Sequence, residues 1–371
     1  MLLLLALLVS GCETVHFYSQ AATGQLKILA GRKSIDGLVA DEQTDPKLRK
    51  QLQLVQSIRA YAAAELHLPV GTAYSEFTQL KDEYALWNLV AAPEFSLSPK
   101  RWCYPIAGCA SYRGYFDKQD ARNQAGRMRA EGYDVYLGPV PAYSTLGWFD
   151  DPVLSSFVNW KPERLASLLF HELAHRRVYI GGDTAFNESF ATAVSQLALP
   201  DWRRRQGIPA PKVKSVEQAR RVNGLMVAAR KQLQALYSSD KSDAEKRAQK
   251  AQTLQQLRSC YRKMSEGWVE DKKFSSLVEQ TNNATLALVS EYQSKVPAFV
   301  QLFKDTGKDW DAFYMAVEQL GARPQDERKA RLEALSQRAQ AAARQMANNQ
   351  TSSKKVTGPS LQSDTCMSAA N

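Results

Sequence analysis

Of the four histidines in the chain, two fall in His171-Glu172-Leu173-Ala174-His175. This is an HExxH pattern, and its spacing implies a mechanism. Residues i and i+4 share one helix face, so both imidazoles reach a single cation. Glu172 lies about 100° around the same helix. Its carboxylate is then expected beside the cation and not on it, where it can hold and deprotonate a water. Leu165, Leu168, Leu169, Phe170 and Leu173 surround the motif and predict a buried, rigid helix. Two imidazoles and a carboxylate are costly to desolvate on such a helix, and a bound cation removes that cost. The bland alternative is a core or surface helix with coincidental histidines.

Catalytic zinc takes three protein ligands and keeps one position open. His16 stands near the chain start and His67 far upstream, so a carboxylate is the expected third ligand. Glu188, in Asn187-Glu188-Ser189-Phe190-Ala191, follows His175 by thirteen residues. The motif helix is expected to continue about five residues to Gly181-Gly182, with Glu188 about six residues beyond. Antiparallel arms of similar length then set Glu188 opposite His175. Phe190, Ala191, Val194, Leu197 and Ala198 offer the second helix its packing face. The competing carboxylate, Glu163, lies two turns before His171 and reads as a first-turn acid meeting the helix dipole. Zn²⁺ is therefore the expected cofactor, with His171, His175 and Glu188 as ligands and Glu172 as proton carrier.

The elements that must hold these groups are legible as patterns. From about Lys47 to Leu66, apolar residues recur at helical spacing. The stretch from Tyr74 to about Asp117 is aromatic and interrupted by prolines, which predicts short strands and turns. Gln119 to Glu131 reads as a helix and Tyr133 to Gly138 as a strand. From Pro162 the chain is nearly all helix, with stops expected at Gly181-Gly182 and at Pro200, Pro209 and Pro211. Val222, Leu225, Met226, Ala229, Leu233 and Leu236 form one stripe; Leu254, Leu257, Tyr261 and Met264 form another. A capping box, Ser242 and Glu245, opens the second helix of this hairpin. The expected class is α+β, mainly helical, with a small β-sheet before the zinc helix and a long helical hairpin after it, inserted at about 215–270. After about 343 the chain turns polar and small, which predicts a disordered tail over 343–371.

Composition narrows the function classes. The 371 residues are 44% hydrophobic and 23% charged, ordinary for a folded protein and too apolar for a disordered one. Lys and Arg number 48 against 38 for Asp and Glu, a net charge of +10 spread thinly over the chain. No aromatic-plus-basic motif accompanies it, so no nucleic-acid partner is expected.

The chain starts MLLLLALLVSGCETV, an apolar run too short to cross a bilayer and typical of an export signal. Leu8-Val9-Ser10-Gly11-Cys12 resembles the bacterial lipobox. That resemblance implies a signal peptide over 1–11, cleavage before Cys12 and a lipid on its sulfur. No Lys or Arg precedes the run, which departs from the usual signal. The alternatives are an ordinary cleaved signal or a buried N-terminal strand. Glu13, and not Asp, after the cysteine implies by the same resemblance an outer-membrane anchor facing the periplasm. Among the other cysteines, Cys103 and Cys109 are candidates for a local disulfide, with Pro105 and Gly108 turning the chain between them. Cys260 and Cys366 either pair or stay free.

Beyond HELAH and NESFA, several blocks resemble bacterial lipoprotein-type zinc aminopeptidases of the gluzincin-like, HExxH-plus-Glu group. They are Trp102-Cys103, Ala107-Gly108-Cys109, Tyr112-Arg113-Gly114-Tyr115-Phe116, Tyr143 to Phe149, and Asn282-Asn283-Ala284 with Tyr292 and Val296-Pro297-Ala298-Phe299. The resemblance covers Cys12 to about residue 330 and implies a zincin-like catalytic domain over 12–342 that hydrolyses peptides. The interval from His175 to Glu188 is shorter than in well-studied gluzincin aminopeptidases, so their substrate pocket does not transfer directly. A tetrahedral oxyanion needs a further donor. Tyr292, in the Asn-Asn-Ala block, is the candidate, with Tyr179 and Tyr143 as rivals. Asp150 and Asp151 are candidates for holding a substrate α-amino group, and Tyr143 to Trp148 for pairing with an extended peptide. The alternatives to an aminopeptidase are an anchored zinc endopeptidase and a non-catalytic envelope scaffold.

Overall fold

In the computed structural model, the description covers residues 2–104, 108–140, 142, 150–268, 272–293, 295–353 and 366–367. Side chains are described for these residues except 2–14, 108, 272–273, 289–293, 343 and 346–353. The elements run α1 (Leu2–Ala30), β1 (Arg32–Ser34), α2 (Ile35–Ala40), α3 (Pro46–Ala64), β2 (Glu76–Thr78), β3 (Leu86–Ala92), β4 (Trp102–Tyr104), β5 (Gly108–Ala110) and β6 (Arg113–Tyr115). There follow α4 (Lys118–Ala130), β7 (Asp134–Val140), β8 (Val153–Leu154), α5 (Pro162–Arg177), α6 (Thr184–Arg205), α7 (Val213–Tyr237) and α8 (Asp243–Ser265). The chain closes with α9 (Lys272–Glu279), α10 (Asn283–Gln293), α11 (Val296–Asp305), α12 (Trp310–Gly321) and α13 (Gln325–Ser353). The class is α+β. Among the described residues every strand precedes α5.

The strands form two three-stranded sheets, β1-β2-β8 and β6-β3-β7, and the hairpin β4-β5. In the second sheet both neighbours of β3 are antiparallel to it. Its two faces have separate duties, as period-two alternation requires. Leu89 and Ala91 face α4, where Ala121, Ala125 and Met128 complete a small core. Val90 and Ala92 pack on Ala284 of α10. Leu86 and Asn88, on that same side, line a cleft over α5.

The main core joins α3, α5, α6, α11 and α12. Phe190 of α6 sits among Phe299, Phe313 and Tyr314, with ring centroids 5.8, 6.0 and 6.3 Å away. Each fully buried aromatic of this kind contributes about 1.5–3 kcal/mol. A second core lies between α7 and α8, where the two predicted stripes meet. The Ser242–Glu245 capping box is present at the start of α8.

Three local outcomes differ from the sequence reading. α6 does not stop at Pro200; it continues to Arg205. Trp202 is fully buried there, and Asp201 accepts a hydrogen bond from the Tyr61 hydroxyl at 2.9 Å. Such tertiary anchoring outweighs the one backbone bond a mid-helix proline removes. α5 ends at Arg177, two residues past His175, because Val178 is extended at φ −139°. Beyond 343, where a loose tail is expected, α13 remains helical to Ser353, and Cys366 is bonded to Cys260. Cys103 and Cys109, which face each other across the β4-β5 hairpin, form the second disulfide.

Candidate active site

The short turn between α5 and α6 decides where Glu188 falls. Gly182 takes φ +79°, which favours glycine. Asp183 then caps α6, its side chain accepting from Phe186 N at 3.1 Å. Asn187, almost fully buried, donates to Ile180 O and accepts from Ile180 N, both at 2.8 Å. Asp183 also meets Arg328 of α13 at 2.9 Å and Lys295 at 3.8 Å. This bracing sets the residue after Asn187.

Glu188 reaches both histidines. Its Oε2 lies 3.2 Å from His171 Nε2 and its Oε1 3.8 Å from His175 Nε2. The two Nε2 atoms are themselves 3.2 Å apart. The Glu188 carboxylate thus spans both imidazoles and stands slightly closer to His171 than to His175, which the sequence reading sets opposite it. A tetrahedral ion with bonds of 2.0–2.2 Å holds its ligand atoms about 3.4 Å apart. The three groups therefore fit a zinc-sized cation by both chemistry and spacing, and they are the group of this kind found among the described residues. Two imidazole nitrogens facing each other satisfy at most one hydrogen bond, whereas a cation satisfies both lone pairs. Nδ1 of His175 is buried with no hydrogen-bond partner.

Burial is the largest single influence on all four groups, but it sets the direction only at Glu172 and His175. It pushes the Glu172 carboxyl up to about 7, helped by the charges of Glu188 and Asp151 and opposed by His171. Burial and the neighbouring His171 push His175 down to about 4, against the pull of Glu188. Burial also disfavours the charged form of His171, but the Glu188 hydrogen bond and the two acids outweigh it, and its pKa rises. Burial would raise Glu188, yet the His171 bond and both imidazoles hold it below the usual carboxylate range.

The cluster lies in a cleft of about 780 Å³. Arg164, Leu168, His171, Glu172 and His175 of α5 form one side, and Glu188, Thr192, Ser195, Gln196 and Leu199 of α6 the other. Leu86, Asn88, Tyr112, Gly114 and Val140 close it from the sheet. Glu163 lines the cleft away from the cluster and pairs with Arg203 at 3.4 Å. Asp150 is held by Thr72 and by Arg176. Asp151 is buried and near enough to act on Glu172. Tyr179 is partly exposed, its ring centroid 6.4 Å from that of His175. Burial first, and then the charge of Glu188, raise its hydroxyl pKa. The side chains of Tyr292, Tyr143 and Cys12, and the whole Tyr143–Trp148 stretch, lie outside the described residues.

Sequence reasoning missed the far ends of this cleft. Thr192, Ser195 and Leu199 follow Glu188 at four, seven and eleven residues, and Arg164 precedes His171 by seven, so helical spacing carried a signal for all of them. Asn88, Tyr112 and Gly114 carried none, because strand pairing brings them there.

A mixed α+β chain thus presents two histidines and a glutamate from adjacent helices inside an open cleft. It belongs to the Aminopep family, described as "Putative aminopeptidase", whose model matches residues 16–332. No curated protein and no solved structure matches the chain.

Proposed function

We propose that the protein is a zinc-dependent metallopeptidase with a zincin-like catalytic domain that acts as an aminopeptidase on peptides. The observation that carries this reading is the convergence of His171, His175 and Glu188 within bonding range of one cation, beside Glu172 and inside a cleft. The family description supports the peptidase class.

His171 and His175 would hold the ion through Nε2, and Glu188 through a carboxylate oxygen. Zinc bound there supplies Lewis acidity toward the scissile carbonyl and toward water. Glu172, one residue from His171, points into the same cleft. Its carboxylate takes a proton from the attacking water and passes it to the leaving amine nitrogen, returning to its starting state. Asn187 and Asp183 hold Glu188 in place through the turn they brace. Metal analysis of the purified protein, joined to digestion of free and N-blocked peptides, tests the reading. One zinc per chain and release of N-terminal residues are expected. Absence of stoichiometric zinc would favour the scaffold alternative, and internal cleavage of blocked peptides would replace the aminopeptidase assignment with an endopeptidase.

The proposed location is the outer membrane, facing the periplasm, through a lipid on Cys12. The lipobox-like residues support it, and no described helix is long and apolar enough to cross a membrane. Mass spectrometry of the mature N-terminus tests it, with a lipidated Cys12 as the first residue.

A further inference from the structure

We propose that Arg164 binds a carboxylate of the peptide substrate at the end of the cleft away from the His-His-Glu cluster, making the enzyme selective for short or acidic peptides. This rests on the peptidase reading and adds a substrate class to it. Arg164, Leu168, His171 and His175 succeed one another at intervals of four, three and four residues, so they form one line along the cleft side of α5. At 1.5 Å per residue, Arg164 starts about 10 Å from His171. Its guanidinium lies over the ring of Trp160, 3.5 Å from the centroid, which carries it up to one turn further out. An extended peptide covers about 10–16 Å in three to five residues.

The charges of the cleft single out this side chain. Outside the cluster and Glu172, the charged residues lining the cleft among the described residues are Glu163 and Arg164. Glu163 is countered by Arg203. Arg164 forms no ion pair with an Asp or Glu among the described residues; the titratable group that acts on it is the Tyr84 phenol, whose own pKa is raised and which is therefore uncharged near neutral pH. A guanidinium held by its face on an indole keeps its in-plane N–H donors for another group, and that fork matches a carboxylate. The walls between Arg164 and the cluster hold uncharged side chains, including Leu168, Asn88, Ser195 and Gln196. Apart from the proposed metal, the positive charge that a peptide lying there meets among the described lining residues is Arg164.

The carboxylate has two sources, the peptide C-terminus or an Asp or Glu side chain, and one experiment separates them. Peptides with one to six residues beyond the first bond are prepared as free acids, as C-terminal amides, and as amides ending in Glu in place of Gln. The kcat and KM of each are measured on zinc-loaded protein, and affinities by calorimetry on metal-free protein. For three to five residues beyond the bond, a carboxylate should improve binding roughly tenfold over the amide. The gain should lie in KM, fall to none in Arg164→Met and be partly kept in Arg164→Lys. A gain for the free acid alone assigns the C-terminus; an equal gain for the Glu amide assigns any carboxylate. No preference at any length, or the same preference in Arg164→Met, overturns the proposal. Carboxylate-dependent binding without turnover would instead overturn the peptidase reading and leave the Arg164 site standing.

Discussion

Glu172 and Glu188 are both acids in one cleft, but their surroundings divide the work. Glu188 is held ionised by two imidazoles, as a cation ligand requires. Burial raises the Glu172 carboxyl instead, which suits the proton-carrying role proposed for it. Replacing Glu172 by Gln keeps the shape and removes the base. Zinc content should remain at one per chain while kcat falls roughly 10²–10⁴-fold. Retained turnover would take Glu172 out of the mechanism. Glu188→Gln should do the reverse and first lower zinc retention on dialysis. Tyr292→Phe tests the proposed oxyanion donor: kcat should drop roughly 10²-fold with little change in KM. If Tyr292→Phe is as active as the parent, Tyr179 becomes the residue to replace.

The pairing of α5 with α6 turns two local motifs into one site. The motif helix could be recognised from the sequence because Leu165, Leu169 and Phe170 repeat at its period and Pro162 marks its start. The bracing of its partner could not. Asn187 looks like any polar residue beside Glu188, yet it pairs with both backbone groups of Ile180. Asn187→Ala takes the partner from the Ile180 N–H, while the Ile180 C=O still accepts from Asp183 N at 3.2 Å, and should cost about 1–3 kcal/mol, read by denaturant melts. Zinc affinity should weaken roughly tenfold in the same variant, because Glu188 follows directly. Full zinc affinity in a destabilised Asn187→Ala would show that the turn supports the fold and not the site. The Asn282-Asn283-Ala284 block also turned out structural. Asn283 donates to Pro93 O and Glu94 O at 3.1 and 2.9 Å and accepts from the Tyr237 hydroxyl at 2.8 Å. Asn282 donates to Val135 O at 3.0 Å. Together they bolt α10 to the sheet and to the hairpin.

Across the molecule, the cleft and the α7-α8 hairpin belong to separate apolar cores. The Cys260–Cys366 disulfide closes a span of 106 residues onto the hairpin side. Replacing both cysteines by Ala should lower stability by about 2–5 kcal/mol through the freed unfolded chain. Zinc stoichiometry should be unchanged, since neither cysteine packs in the core that holds α5 and α6. Loss of zinc in that variant would show that the two cores are coupled.

The HExxH helix, the likeness of Glu188 to a third ligand, the hairpin stripes and the ordering of strands before helices were all readable from residue order. Each depends on contacts between near neighbours or on a period set by backbone geometry. Where α5 ends, whether Pro200 breaks α6, which side chains wall the cleft and what Asn283 holds were decided by packing. Those outcomes turn on burial of Trp202 and on partners some tens to hundreds of residues away. Such long-range contacts leave no periodic trace in the chain, because they form only when separate elements meet.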